Sequence, residues 1–461
     1  MYMINPDASN TRRMISKYPF VYEKMNADQF FKKEKGAIYL HFPFCVRRCH
    51  YCTYVTKTGS TDTERERYVR ALIADIKQYN KYQCLPEYEI ESIYFGGGTP
   101  SLLTAEQIAR ILEAIECRFK VTEPLLDLCI ESDPATVTDE KLEAIKQLGF
   151  TRISVGIQSF DDTVLKASNR SHTADGAREA IKKIKAHGLK NFNIDLIYPL
   201  QCQNMSTWKE DLIETINFEP AEITAHVLEV WPGTKLEKMV KEGIYTLPSF
   251  EKEIEMTNEA YDMLEAAGFR RWSNCGYYHP ERSNHYSLFM DYYWRTWPML
   301  GFGVSAQSVV GRRIWTNIPD IEEYIQCVES GLNPMNVCTQ MSVRQEMLRV
   351  IIRGFKACYI NKQEFFNRFG VDMENIFRSE LEYLLNKGWV RETDDNFELT
   401  RNGQVFDRDV YTVFYTKDDM QKPNKNNQVW LGLSLSPDEE AGQLKGPTTA
   451  LSGKQVNTDK E

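Results

Sequence analysis

Three cysteines fall within eight residues: Cys45, Cys49 and Cys52, in the segment HFPFCVRRCHYCTY. Their spacing is C-x3-C-x2-C, directly after an apolar run, AIYLHF (37–42), that reads as a buried strand. Thiolates are soft ligands, and three in one short loop can hold three corners of a cubane iron–sulfur cluster. The fourth iron then stays open to an outside ligand, as chemistry at a metal requires. Structural zinc usually takes four ligands in spaced pairs, and no second pair follows. The other eight cysteines, from Cys84 to Cys358, are scattered singly and read as small buried hydrophobes.

A glycine run, Gly96-Gly97-Gly98, ends the next strand-like segment, ESIYFGGG. Without side chains, such backbone can approach a ligand closely, and free N–H groups can bind a carboxylate. Four more short apolar segments follow: LDLCIES (126–132), RISVGIQ (152–158), NFNIDLIY (191–198) and EITAHVLEV (222–230). Amphipathic helices over 61–82, 104–119, 138–149, 174–188 and 207–218 separate the six, and Thr104 is placed as an N-cap. Strand–helix alternation predicts a parallel sheet and a closed or partly open α/β barrel. Glu131, Gln158 and Asp195 fall at the C-terminal ends of strands, the edge that carries chemistry in barrels.

The chain has 461 residues, with 42% hydrophobic and 26% charged, enough apolar material for a large core. A formal charge of −9 disfavours a broad nucleic-acid surface. The N-terminus lacks the apolar run of a signal peptide, and no stretch is long and apolar enough to span a membrane, so a cytoplasmic location is expected. The pattern divides the chain into an N-terminal extension (1–36), the barrel (37–339), a winged-helix-like α+β module (340–416) and a disordered polar tail (417–461).

The cysteine spacing, with the aromatic Tyr51 before the last cysteine, resembles the radical S-adenosylmethionine (SAM) superfamily. YFGGGTPSLL (94–103), ESDP (131–134), RISVGIQSF (152–160), NRSH (169–172) and NIDLIYPL (193–200) are similar to oxygen-independent coproporphyrinogen III oxidase and its relatives, in family order. The resemblance implies a partial (β/α)6 barrel, a [4Fe-4S] cluster on Cys45, Cys49 and Cys52, and two molecules of SAM. It implies SAM contacts at Tyr39, Tyr51, Gly97, Gly98, Thr99 and Glu131, with Gln158, Arg170 and Asp195 holding the second SAM. It also implies a flavodoxin- or ferredoxin-type electron donor. In the family, reductive cleavage of SAM gives a 5′-deoxyadenosyl radical that abstracts hydrogen from carbon.

The pattern departs from the oxidases at Tyr54, where they carry a fourth cysteine, and from the haem-chaperone branch at Asn284-His285, which stand in reversed order. The expected function is therefore C-methylation or cyclopropanation of a peptide or other natural product. The alternatives are a coproporphyrinogen III dehydrogenase, a haem-degrading methyltransferase and a non-catalytic haem chaperone. The aromatic run Tyr277, Tyr278, Tyr292, Tyr293, Trp294 and Trp297 suits a planar or peptidic substrate, or else core.

Overall fold

The computed structural model describes residues 35–79, 88–283 and 286–415. Nearly all of the 1–36 extension, the 417–461 tail and the Asn284-His285 pair lie outside the described residues. The six expected strands form: β1 (Lys35–Phe42), β2 (Glu89–Gly97), β3 (Asp127–Ser132), β4 (Arg152–Gln158), β5 (Phe192–Tyr198) and β6 (Glu222–Val227). They pair in parallel and in chain order, β1 to β6. Near-continuous burial along β1, β2 and β4 fits strands covered on both faces.

Helices cross between the strands, and each begins at a residue suited to capping. Thr61, Thr104, Thr138 and Thr173 accept hydrogen bonds from first-turn N–H groups, each worth about 1 kcal/mol. Thr104 is the expected N-cap and makes a reciprocal capping box with Gln107. The apolar faces of these helices meet the sheet in one large core that includes Ile38, Ile90, Ile130, Ile153, Ile194 and Trp208.

The barrel stays open. Met299–Phe302 adds in parallel beside β1, followed by the antiparallel strands Gln307–Val310, Arg313–Asn317 and Met335–Gln340. Gly276–Tyr278 adds antiparallel beside β6. Periodicity over 270–340 had not separated these short strands, because each depends on a neighbouring edge rather than on its own pattern.

The C-terminal module is built from helices and a small hairpin, an α+β unit as expected. Helix Val343–Lys356 is followed by Lys362–Phe369, Arg378–Asn386 and the hairpin Val390–Glu392/Asn396–Leu399. The structure adds a third strand, Tyr359–Asn361, and two short helices, Arg401–Val405 and Asp407–Thr412. Its own core contains Ile351, Phe355, Phe365, Phe377 and Phe397. Arg408 ties it to the barrel by donating to Glu253 at 3.1 Å, and Asn274 N donates to Lys356 O at 2.8 Å.

Inside the barrel, Arg152 bridges Glu222 and Asp127, with Nε 3.6 Å from the Asp127 carboxylate. All three side chains are buried. Ser287 N and Phe289 N donate to the same two carboxylates, which fixes the turn before the aromatic helix Leu288–Arg295. Removing the guanidinium leaves two buried carboxylates facing each other. Arg152→Ala should therefore lower unfolding stability by about 3–5 kcal/mol in denaturant melts, whereas an exposed pair such as Lys182–Glu179 should matter by less than about 1 kcal/mol.

Candidate functional site

β1 delivers the cysteine loop. Beyond it, Phe44–Cys45 pairs with Lys57–Thr58 and closes the loop at its base. Cys52 N donates to Cys49 O at 3.2 Å, making the turn that brings the later two cysteines together. All three cysteines are free thiols, partly buried, and line one cavity of about 570 Å³. The loop is tied to the segment after β4: Asn169 Nδ2 donates to Arg48 O at 2.8 Å, and His50 N to Ser168 O at 3.2 Å. Burial pushes the Cys45 thiol up to about 12 and the Cys52 thiol to about 11. In the protein's own field they are neutral, so a bound cation must supply the charge that makes them thiolates.

The glycine run closes on this loop. Gly98 N donates to Phe42 O at 2.7 Å, Thr99 N to Phe44 O at 2.8 Å, and Thr99 Oγ1 to Cys45 Sγ at 3.5 Å. Gly97 N donates to Glu131 Oε2 at 3.2 Å. The expectation of free N–H groups is thereby corrected: the three amides of Gly97, Gly98 and Thr99 are engaged within the protein. The glycines serve close approach instead. A Cβ on Gly98 would stand 2.7 Å from Phe44 O and 3.0 Å from Cys45 Sγ, and Gly97 has φ +108°.

Glu131 accepts from Tyr94 Oη at 2.7 Å. Burial, with the Asp195 carboxylate adding to it, pushes Glu131 up to about 7. Tyr51 lines the cavity and packs on the Leu200–Leu228–Leu236 cluster. Tyr39 does not line it. Its ring packs beside the stacked Tyr94–Phe289 pair, with centroids at 6.3 and 5.9 Å, and its hydroxyl meets His41 Nδ1 at 3.1 Å.

Gln158, Arg170 and Asp195 do come together at one cavity wall, but not as unpaired charges. Arg170 donates to Asp133 Oδ2 at 2.9 Å, to Gly156 O, and to Cys49 Sγ at 3.1 Å. Asp195 accepts from Ser154 at 2.8 Å and from Asn193 at 2.7 Å. Arg170 thus has a counter-charge within the chain, Asp133. Asp133 sits inside ESDP and was not singled out. Burial opposes its charge, but His172 and Arg170 hold it well below the usual carboxylate range. Gln158 differs from its neighbours: it is buried, has φ +71°, and its Oε1 has no hydrogen-bond partner. The Ser132 hydroxyl beside it is likewise buried without one.

The far end of the cavity joins barrel and module. Of the six aromatic residues, Tyr293 and Trp294 line it. Tyr277 and Tyr292 are core, the latter donating to Glu91 at 2.6 Å, and Trp297 packs edge-on against Tyr292. Sequence reading missed Arg271, Arg353 and Lys356, which also line this end, and His226 with Cys275. Only the sheet edge and the docked module bring them together. Although burial opposes both charges, the mutual contact pushes His226 up to about 9 and the Cys275 thiol down. Cys275 is therefore not one of the inert buried cysteines expected. Tyr54 lines the cavity too, half open to it.

A model of the radical SAM superfamily matches residues 39–213, and one of the HemN C-terminal domain matches 341–406. The chain is 30% identical over 302 residues to the haem chaperone HemW of Synechocystis, covering 64% of this chain and 71% of that protein. It belongs to the radical SAM superfamily, in its HemN/HemW-like family. Bacillus subtilis HemW is 24% identical, across 82% of this chain and 98% of its own length. The oxygen-independent coproporphyrinogen III oxidase of Pseudomonas aeruginosa is 25% identical, across 85% and 87%. The solved coproporphyrinogen III oxidase (HemN) of Escherichia coli superposes with a TM-score of 0.70 at 20% identity, covering 84% and 91%. The α/β fold with a partial barrel and a small C-terminal domain is that family's fold.

Family membership implies a [4Fe-4S] cluster and SAM. Among the described residues no three His, Cys, Asp or Glu side chains converge on a single ion. The three thiols instead line a shared wall, as corners of a larger group do, with Arg170 donating to one of them. The buried, unpartnered Gln158 Oε1 and Ser132 Oγ bound the adjoining space, where a polar ligand such as SAM would satisfy them. The residues present fit the group.

Two predictions follow from this geometry. Gly98→Ala should lose most of its cluster iron after anaerobic reconstitution, while circular dichroism stays near that of the parent, because its Cβ meets the loop carbonyls and Cys45. Glu131 carries the pH signature. A carboxyl whose folded value is raised from 4.5 to about 7 costs stability as pH climbs through that window, on the order of 3 kcal/mol. Glu131→Gln removes that cost. Its stability relative to the parent should therefore be more favourable at pH 8 than at pH 5, measured by denaturant melts of the cluster-free chain. An unchanged difference would mean that Glu131 ionises normally.

Proposed function

We propose that this protein binds haem, or a closely related tetrapyrrole, in the cavity beside a SAM-bound [4Fe-4S] cluster, as a haem-handling radical SAM protein. One observation carries this most: a single cavity runs from the cysteine loop to an aromatic and cationic wall that the C-terminal module helps build. Relatives named as haem chaperones match the chain over nearly their full length. Peptide C-methylation or cyclopropanation was expected from the departures at Tyr54 and Asn284-His285; the relatives favour the haem reading over it, and of the aromatic run that suited a peptide only Tyr293 and Trp294 reach the cavity.

When bound, the cluster and SAM supply one-electron reductive chemistry at the sulfonium. The chain's own residues bind and orient. Cys45, Cys49 and Cys52 would hold the cluster, and Arg170 would lower the charge on the Cys49 thiolate. Glu131 would accept from the SAM ammonium, and Gln158 and Ser132 would complete that pocket. One SAM, not two, belongs to this reading. A flavodoxin- or ferredoxin-type donor would supply the electron, in the cytosol.

Anaerobically reconstituted protein, titrated with haemin and followed by difference absorbance, should saturate at about one haem per chain. The Cys45/Cys49/Cys52 triple alanine variant should lose cluster iron and SAM binding. Absence of saturable haem binding, with SAM cleavage stimulated by a peptide instead, would return the function to natural-product modification.

A further inference from the structure

The cavity end opposite the cluster holds side chains that cofactor binding does not use. Cys275 sits on the turn between the short strands Arg270–Arg271 and Gly276–Tyr278. Ala225 N donates to Cys275 O at 2.8 Å, so the turn is pinned to β6 next to His226. Both side chains line the cavity. Asn274 N donates to Lys356 O, which brings the C-terminal end of helix Val343–Lys356 onto the same turn.

Three cations line the same cavity, Arg271, Arg353 and Lys356. Arg353 and Lys356 are only 6% and 7% exposed, yet among the described residues neither they nor Arg271 make an ion pair with a carboxylate. Arg271 donates to Ser273 O at 2.8 Å and to Asn274 O, and Arg353 to Tyr293 O at 3.4 Å; ring faces supply the rest. The Arg353 guanidinium lies 4.0 Å from the Tyr293 centroid, and Lys356 Nζ lies 5.7 Å from Trp294 and 5.1 Å from Tyr411. Arg271 Nη1 is buried with no hydrogen-bond partner. Elsewhere in the cavity the chain does provide counter-charges: Arg170 has Asp133 and Arg408 has Glu253. Carbonyl oxygens and ring faces leave these net charges unneutralised, so this end suits carboxylates that arrive with a ligand. A thiol beside an imidazole adds a soft ligand for a metal, and flat aromatic side chains flank it.

We propose that this end is the haem seat: Cys275 ligates the haem iron as a thiolate, and Arg271, Arg353 and Lys356 receive the propionate carboxylates. This rests on the haem-binding function above and adds the residues that bind it. The step is an exchange of ligands. The Cys275 S–H bond breaks, its proton passes to the His226 imidazole, and a sulfur–iron bond replaces an iron–water bond. No electron is transferred. The site then holds a thiolate, an imidazolium, a ferric porphyrin and two carboxylates among three fixed cations.

The test uses the full-length, cluster-loaded chain with haemin as the probe. The ferric complex should give the electron paramagnetic resonance and absorption pattern of thiolate-ligated haem, and its ferrous carbonyl complex the red-shifted Soret band typical of that ligand. Cys275→Ser should abolish both signatures while cluster iron stays at the parent's level. Arg353→Gln with Lys356→Gln should keep the thiolate spectrum and weaken haemin binding at least about tenfold. Haem dimethyl ester, which lacks free carboxylates, should bind weakly and feel that double change little. A wild-type haem complex with the same spectrum as Cys275→Ser would overturn this inference and leave haem binding intact. A wild-type chain that takes up no haem would overturn the proposed function itself.

Discussion

The site depends on two neighbouring loops being locked to each other by backbone hydrogen bonds. β1 and β2 run in register, with Phe42 opposite Gly97. Directly beyond, Gly98 N and Thr99 N donate to Phe42 O and Phe44 O, so the glycine run is stitched to the start of the cysteine loop. Thr99 Oγ1 then reaches Cys45. No side chain fits at Gly98, because its Cβ would occupy the space of those same carbonyls. The position of the first thiol is thus a consequence of strand register, and the remaining contacts of the loop refine it.

A second constraint fixes the other face of the loop. Arg170 is held by Asp133 from the end of β3 and by Gly156 O from β4, and it donates to Cys49. Two successive strand ends therefore position one guanidinium against one sulfur. That guanidinium thus links a carboxylate of the chain to the cysteine loop. The open requirements of the cavity lie elsewhere: at Gln158 and Ser132 near the cysteines, and at the cations beside Cys275.

The six parallel strands, their helices and the Thr104 cap were legible in the sequence, because each rests on a local pattern of apolar residues and capping groups. The cysteine loop, the glycine run, Glu131 and Asp195 were legible from residue type at a strand end. Two kinds of feature were not. Partnerships such as Arg170–Asp133 join residues 37 apart, and spacing alone cannot show which charge is already neutralised. The distal wall draws on the 271–275 turn, β6, the aromatic helix and helix Val343–Lys356, so Cys275 looks like any scattered cysteine until the module is docked on the barrel.

The central claim is that the three-cysteine loop holds a cluster whose open iron takes SAM on the side facing this cavity. The direct measurement is electron–nuclear double resonance on the reduced, anaerobic protein, with SAM isotopically labelled in its amino nitrogen and carboxylate. Hyperfine coupling of the cluster spin to both labels, lost in Glu131→Gln or sharply weakened there with cluster iron unchanged, is the predicted result. A reduced cluster whose spectrum does not respond to SAM, and which couples to neither label, would contradict it.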